Sequence, residues 1–184
     1  MDNQQETLLE LGWTAGLIDG EGTIGISARN RLEASSGYTL KPHVQVTNTD
    51  PAVIARYVRW LESRQIPFHV STRVARGRRL QAVTVTTAGL KRVQRLLPVV
   101  AEHLTGRKRD QAALVLEFVE SRLADWHAAP FTPRQLEIVG ALGAGRTKGR
   151  RQILRDYTRS SRSSKYPRDE DIVRAERETS GVAC

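Results

Sequence analysis

Residues 13–25, WTAGLIDGEGTIG, constrain this chain more than any other stretch. They continue an amphipathic helix whose apolar positions are Leu8, Leu9, Leu11, Ala15 and Ile18, and they set Gly16 and Gly20 four residues apart inside it. A glycine in a helix costs roughly 1 kcal/mol against alanine, so two at this spacing ask for a compensation. Close approach supplies one, because helices with small residues four apart can bring their backbones almost into contact. The helix then ends on a carboxylate, Glu21, between Gly20 and Gly22. Two such helices meeting in parallel would deliver two carboxylates to one spot.

Downstream, the hydrophobic period alternates between two and 3.6 residues. A helix over about residues 5–19 is followed by residues 23–31, where Ile24, Ile26 and Ala28 alternate with Gly25, Ser27, Arg29 and Arg31, the pattern of a half-buried strand. A turn over residues 32–37 leads into a second strand, 38–48, with Tyr38, Leu40, Val44 and Val46 on one face and Lys41, His43 and Gln45 on the other. Pro42 places that strand at an edge or a bulge. Asp50 and Pro51 are an N-cap and a first helical residue for a helix ending near residue 65. Residues 68–76 and 79–87 flank a hairpin tip at Gly77-Arg78, with Phe68, Val70 and Val74 expected to be buried and His69, Ser71 and Arg73 outward. A helix over 88–97 stops at Pro98, and two more cover about 107–119 and 132–142. Helix, hairpin, helix, hairpin, helix predicts an α+β fold with four antiparallel strands and helices on one side.

Charge narrows the partner. The 184 residues carry 29 Lys+Arg against 20 Asp+Glu, a net charge of +9, which favours a polyanion such as nucleic acid. Nine of those basic residues fall between Arg146 and Arg168 against Asp156 alone. The chain therefore divides into a domain over 1–143 and a basic extension over 144–184, with a short acidic helix over 169–178. No apolar run reaches the roughly 18 residues of a membrane span, and the polar start is not expected to act as a secretory leader. An intracellular location follows as the expectation. Cys184, the one cysteine, leaves no internal disulfide and no Cys-rich zinc site.

Residues 14–22 resemble the LAGLIDADG signature of homing endonucleases. Ala15, Gly16, Leu17, Ile18, Asp19 and Gly22 match it, while Thr14, Gly20 and Glu21 depart from it, the last keeping an acid. The resemblance covers about residues 5–126 and implies an αββαββα core whose saddle-shaped sheet lies on double-stranded DNA. A single motif implies a homodimer, with Trp13, Ala15, Gly16, Asp19 and Gly20 at the two-fold interface. It further implies a double-strand cut in a palindromic or near-palindromic target, dependent on Mg²⁺ or another divalent cation such as Mn²⁺.

By the same resemblance Glu21 is the metal-binding acid, the Gly20 carbonyl a further ligand, and Asp19 the acid that holds the helix end. Residues 108–114, KRDQAAL, look like the family segment whose lysine, here Lys108, sits at the rim of the active site. Asn48 stands where single-motif members carry an amide that positions solvent. Four residues on, some members place an arginine and this chain has Ala52, so part of that peripheral network is missing.

Each residue also has a plainer reading: Glu21 as a helix end, Lys108 as a solvated helix-start lysine, Asn48 as a turn former. Against the first, an acid is poorly placed at a helix C-terminus, and hard divalent cations take carboxylate and phosphate oxygens. Ser27, Arg29, Arg31, Lys41, His43, Gln45, Ser71 and Arg73 form the candidate DNA-reading face, since a β-ribbon fits the major groove. The rival functions are a catalytically silent protein of the same fold, an RNA maturase or transcription regulator, and a general nucleic-acid-coating factor.

Overall fold

The computed structural model describes residues 3–30, 38–75, 80–125 and 130–142, all inside one compact unit, Met1–Gly145. Arg31, the 32–37 turn, the Gly77-Arg78 tip, the basic extension and its acidic helix lie outside the described residues. The elements run α1 (Asn3–Glu21), β1 (Gly22–Asn30), β2 (Tyr38–Asn48), α2 (Pro51–Ser63), β3 (His69–Arg73), β4 (Ala82–Ala88), α3 (Leu90–Ala101), α4 (Gly106–Ala124) and α5 (Pro133–Ala141). The four strands form one antiparallel sheet in the order β1-β2-β4-β3. This is the α+β arrangement expected from the periodicity.

The helices pack on one face. Ile24, Ile26, Val44, Val46 and Val85 of the sheet meet Ile18, Ile54, Tyr57, Leu61, Val93, Leu96, Leu97 and Phe118 in a continuous buried core. Local signals start the helices. Asp50 accepts a hydrogen bond from the Ala52 amide at 2.8 Å and Pro51 opens α2, while Thr132 and Gln135 cap α5 reciprocally.

Three expectations are corrected by tertiary context. Pro42 sits in β2, a central strand, not at an edge. Its carbonyl accepts from Gly89 at 2.9 Å, on the side of β4. The amide hydrogen it lacks would face the same way, where β4 has ended at Ala88, so no ladder bond is lost. Pro98 does not end α3, which runs on to Ala101 because Val100 completes the buried stripe of Val93, Leu96 and Leu97, with Pro98 turned to solvent. Val70 and Val74 are not buried, at 42% and 76% exposed. β3 is the edge strand and lies beyond the cover of α2, and Val74 has already left the strand; Phe68 is partly buried.

The junction of α1 and β1 has no spare residue. A Cβ on Gly22 would lie 2.4 Å from the Ile18 carbonyl oxygen, a backbone atom that cannot swing aside. Gly22→Ala is therefore expected to cost about 1–3 kcal/mol of stability, the usual range for overpacking, read as a lower urea midpoint with an unchanged slope. A wild-type midpoint would show that the junction has slack.

Candidate active site and nucleic-acid face

α1 is fastened to the core by Ala15 and Ile18, at 1% and 0% exposed. On its other side Gly12, Gly16 and Gly20 are exposed, and a Cβ on any of them would meet nothing within 4 Å. Helical pitch advances such residues by only about 40° per step of four, so they form one open groove along the helix, continued by Leu9 at 68% exposed. Gly12 extends the expected pair by a full turn, and its spacing from Gly16 was the signal for it. Of the expected interface residues, Gly16 and Gly20 lie on this open face. Trp13 flanks it, half-buried, with the Arg56 guanidinium 4.1 Å from its ring centre. Ala15 is corrected: its burial inside the subunit leaves no surface for a partner.

Asp19, also expected at the interface, bonds within its own chain. Its carboxylate accepts from the Thr105 amide at 3.1 Å and the Thr105 hydroxyl at 2.8 Å. Thr105 is the N-cap of α4, so Asp19 pins the start of α4 to the end of α1 across 86 residues of sequence. Thr105 is a partner that sequence alone did not identify.

The same pin brings in Lys108. In the first turn of α4, its ammonium donates to the Gly22 carbonyl, immediately after Glu21. Burial lowers the Lys108 pKa, as does neighbouring Arg107, while the Asp19 charge opposes both. Glu21, the last residue of α1, is exposed. Asn48 behaves as a turn former, its Oδ1 accepting from the Asp50 amide at 2.8 Å, and it bonds to neither Glu21 nor Lys108. Among the described residues no three His, Cys, Asp or Glu side chains cluster as a metal site. At this junction the chain thus offers one exposed carboxylate and nearby main-chain carbonyls, Gly20 among the last four of the helix, which lack intrahelical donors. These are hard oxygen donors suited to Mg²⁺, but too few for a closed site.

The uncovered face of the sheet carries the polar side chains in register. Ser27 pairs with Lys41, and its hydroxyl donates to the Lys41 carbonyl at 3.2 Å. His43 pairs with Gly25 and lies over it, 3.7 Å from where a Cβ would stand. One row crosses all four strands as Thr23, Gln45, Thr86 and His69. The next holds Thr47, Thr84 and Ser71, with the two threonine hydroxyls 2.9 Å apart. Arg73 pairs with Ala82 at the far end. Arg29 pairs with Thr39 in the ladder. Thr23, Thr84, Thr86 and His69 lie on the same face; the alternation of residues 23–31, 82–88 and 68–76 was their signal.

No protein-family model and no curated protein matches the chain, but solved structures do. The homing endonuclease I-CvuI, solved on the I-CreI target with Mg and with the DNA not cleaved, superposes with a TM-score of 0.59 at 20% identity, covering 82% of this chain and 96% of that one. The archaeal intron-encoded homing endonuclease I-Vdi141I on DNA gives 0.63 at 16% identity, covering 81% and 94%. The LAGLIDADG homing endonuclease I-SmaMI, bound to cleaved DNA, gives 0.59 at 18%, covering 80% of this chain but 48% of that one. At these identities the likeness is one of fold. The chain has the LAGLIDADG homing-endonuclease fold, spanning nearly all of two of these proteins and about half of the third.

The lowered pKa of Lys108 carries a sign. The unfolded chain holds that proton more tightly than the folded one, so this group's contribution to stability rises with pH from the lowered value up to the ordinary 10.5 and then levels. Lys108→Met is expected to remove that increment, shrinking the wild-type-minus-variant difference in unfolding free energy at neutral pH relative to pH 10. A pH-independent difference would mean that Lys108 is solvated as in the unfolded chain.

Proposed function

We propose that this chain is the subunit of a homodimeric, metal-dependent, site-specific DNA endonuclease. The observation that carries the proposal is a half-built acid site beside an open groove: Glu21 stands exposed at the end of a helix whose glycine face meets no other element among the described residues. A second copy laid along Gly12, Gly16 and Gly20 supplies the second Glu21 and closes the groove. The I-SmaMI chain, about twice as long as its matched part, is consistent with a site that needs two halves.

In that dimer two carboxylates and two negative helix ends converge, which repel each other unless a cation lies between them. Glu21 and the Gly20 carbonyl are the groups that would hold it. A divalent cation supplies neutralisation of phosphate charge and an activated water. Lys108, held at the same junction, adds a positive charge against the phosphate, and Asp19 with Thr105 keeps that lysine in place. The polar sheet face takes the major groove, with Gln45, His43, Lys41 and Arg73 as base-edge or phosphate partners and the threonine rows as uncharged donors and acceptors. A two-fold dimer reads two half-sites related by symmetry. The basic segment 144–184 is assigned to phosphate contact, adding salt-dependent affinity without sequence information.

Selection of cleaved sites from a random duplex library in Mg²⁺ is expected to return a palindromic or near-palindromic consensus. Glu21→Gln should lower cleavage of that site by roughly a thousandfold, the several kcal/mol a bound metal supplies, while leaving DNA affinity in Ca²⁺ within a few-fold. Wild-type cleavage by Glu21→Gln would remove Glu21 from the chemistry. Tight binding with no cleavage by the wild type in any divalent cation would instead identify a silent DNA- or RNA-binding relative.

Gly16→Leu tests the groove separately. Among the described residues nothing beyond its own helix lies within 4 Å of a Cβ at that position, so the monomer is expected to melt as wild type or slightly higher, since leucine is the better helix former. Its mass in solution should fall from dimer to monomer, and cleavage should be lost with it. A Gly16→Leu protein that remains an active dimer would place the interface elsewhere.

A further inference from the structure

We infer that the cleft between the first half of α1 and the second half of α2 is a separate anion site, taking the phosphate of a nucleotide-sized ligand. It stands independently of the nuclease proposal. The cleft lies in the helical layer, on the flank of α1 that carries Thr7 and Glu10, neither on the polar sheet face nor along the glycine groove. Its volume is about 540 Å³, within the roughly 300–1,000 Å³ of small-molecule sites.

Its lining is unusual for a seam between two packed helices. The core face of α2 is supplied by Ile54, Tyr57, Trp60 and Leu61, so Trp60 belongs to the core and borders the cleft as well. The neighbouring stripe, at the i, i+3, i+4, i+7, i+8 spacing of one helix face, is Arg56, Arg59, Trp60, Ser63 and Arg64, and it is this stripe that lines the cleft. Arg56 is already engaged: both Glu10 oxygens take its guanidinium, at 2.8 and 3.2 Å, and it lies on the Trp13 ring. That ion pair is a fixed wall. Arg59 and Arg64 form no ion pair with a described residue; Arg64 lies over the Trp60 ring, 5.0 Å from its centre.

Three guanidiniums therefore line the cleft with one carboxylate, a local excess of positive charge that attracts an anion. Trp60 adds a second, independent observation. It lines the cleft while only 5% exposed, and its indole nitrogen is buried without a hydrogen-bond partner, which makes that N–H a reporter of changes in the cleft. Ser63 donates its proton to the Trp60 carbonyl, which leaves the Arg59 and Arg64 guanidiniums as the charged donors. Forked guanidinium donors match phosphate geometry, and the surplus volume accommodates the rest of a nucleotide.

The phosphate could come from a free nucleotide or from a single strand, and one titration separates the two. The three indole N–H resonances of the full-length protein, with Trp60 assigned by Trp60→Phe, are followed by ¹⁵N NMR against AMP, against adenosine at matched ionic strength, and against a short single-stranded oligonucleotide. The Trp60 resonance is expected to move saturably with AMP, the oligonucleotide or both, and not with adenosine. Arg59→Gln/Arg64→Gln should weaken that binding at least tenfold while its melting temperature and duplex affinity stay at wild-type values. Saturation by the oligonucleotide alone assigns the phosphate to a strand. A silent Trp60, an equal response to adenosine, unchanged binding by the double variant, or loss of duplex affinity in it would each overturn the inference.

Discussion

The working end of this molecule depends on a backbone contact that leaves no room for a side chain. Helix α1 stops and β1 starts within one residue, because Gly22 packs against the Ile18 carbonyl while Ile18 itself is fully buried. On the far side, Gly22 is already in register with Val46. Glu21 is caught between two fixed points and is held out into solvent at the helix end. Its position is set by the core, not by contacts of its own side chain, and a carboxylate presented this way is available to a ligand.

The second helix that serves this site arrives by a polar route. Asp19 grips the N-cap Thr105, and Lys108 reaches back to the Gly22 carbonyl, so the first turn of α4 is tied to the junction at both ends. The acids and the lysine have separate duties. Asp19 spends its oxygens on structure, Glu21 keeps its oxygens outward, and Lys108 gives up some hydration, which lowers its pKa. The motif thus combines a structural acid and an exposed one two residues apart, sorted by the direction in which each leaves the helix.

The sheet and the helical layer treat polarity in opposite ways. On the sheet, period-two alternation sends most polar side chains to one face, Thr87 being a buried exception, and there hydroxyl, amide and imidazole rows run in register between the basic residues. In the helical layer, α2 buries one stripe in the core and turns the next, rich in arginine, toward the start of α1. The Glu10–Arg56–Trp13 arrangement closes part of that seam and leaves the cleft beside it.

Much of this was legible in the chain. Period-two and period-3.6 runs determined the nine elements and the α+β class to within a few residues, and the stretch around Gly16, Gly20 and Glu21 singled out the helix end. Alternation also put Lys41, His43 and Gln45 on one face before any strand order was known. What only the tertiary structure decided was neighbourhood. Pro42 is central because its missing amide hydrogen faces the end of β4, and Val70 is exposed because β3 is the strand the helices do not reach. Ala15 points inward by the rotation of α1, whereas Gly12 joins the open face. Thr105 meets Asp19 only because folding closes 86 residues of chain. Local sequence sets period and propensity, which depend on near neighbours. Partners distant in the chain are chosen by which faces of the helices and strands can be buried together.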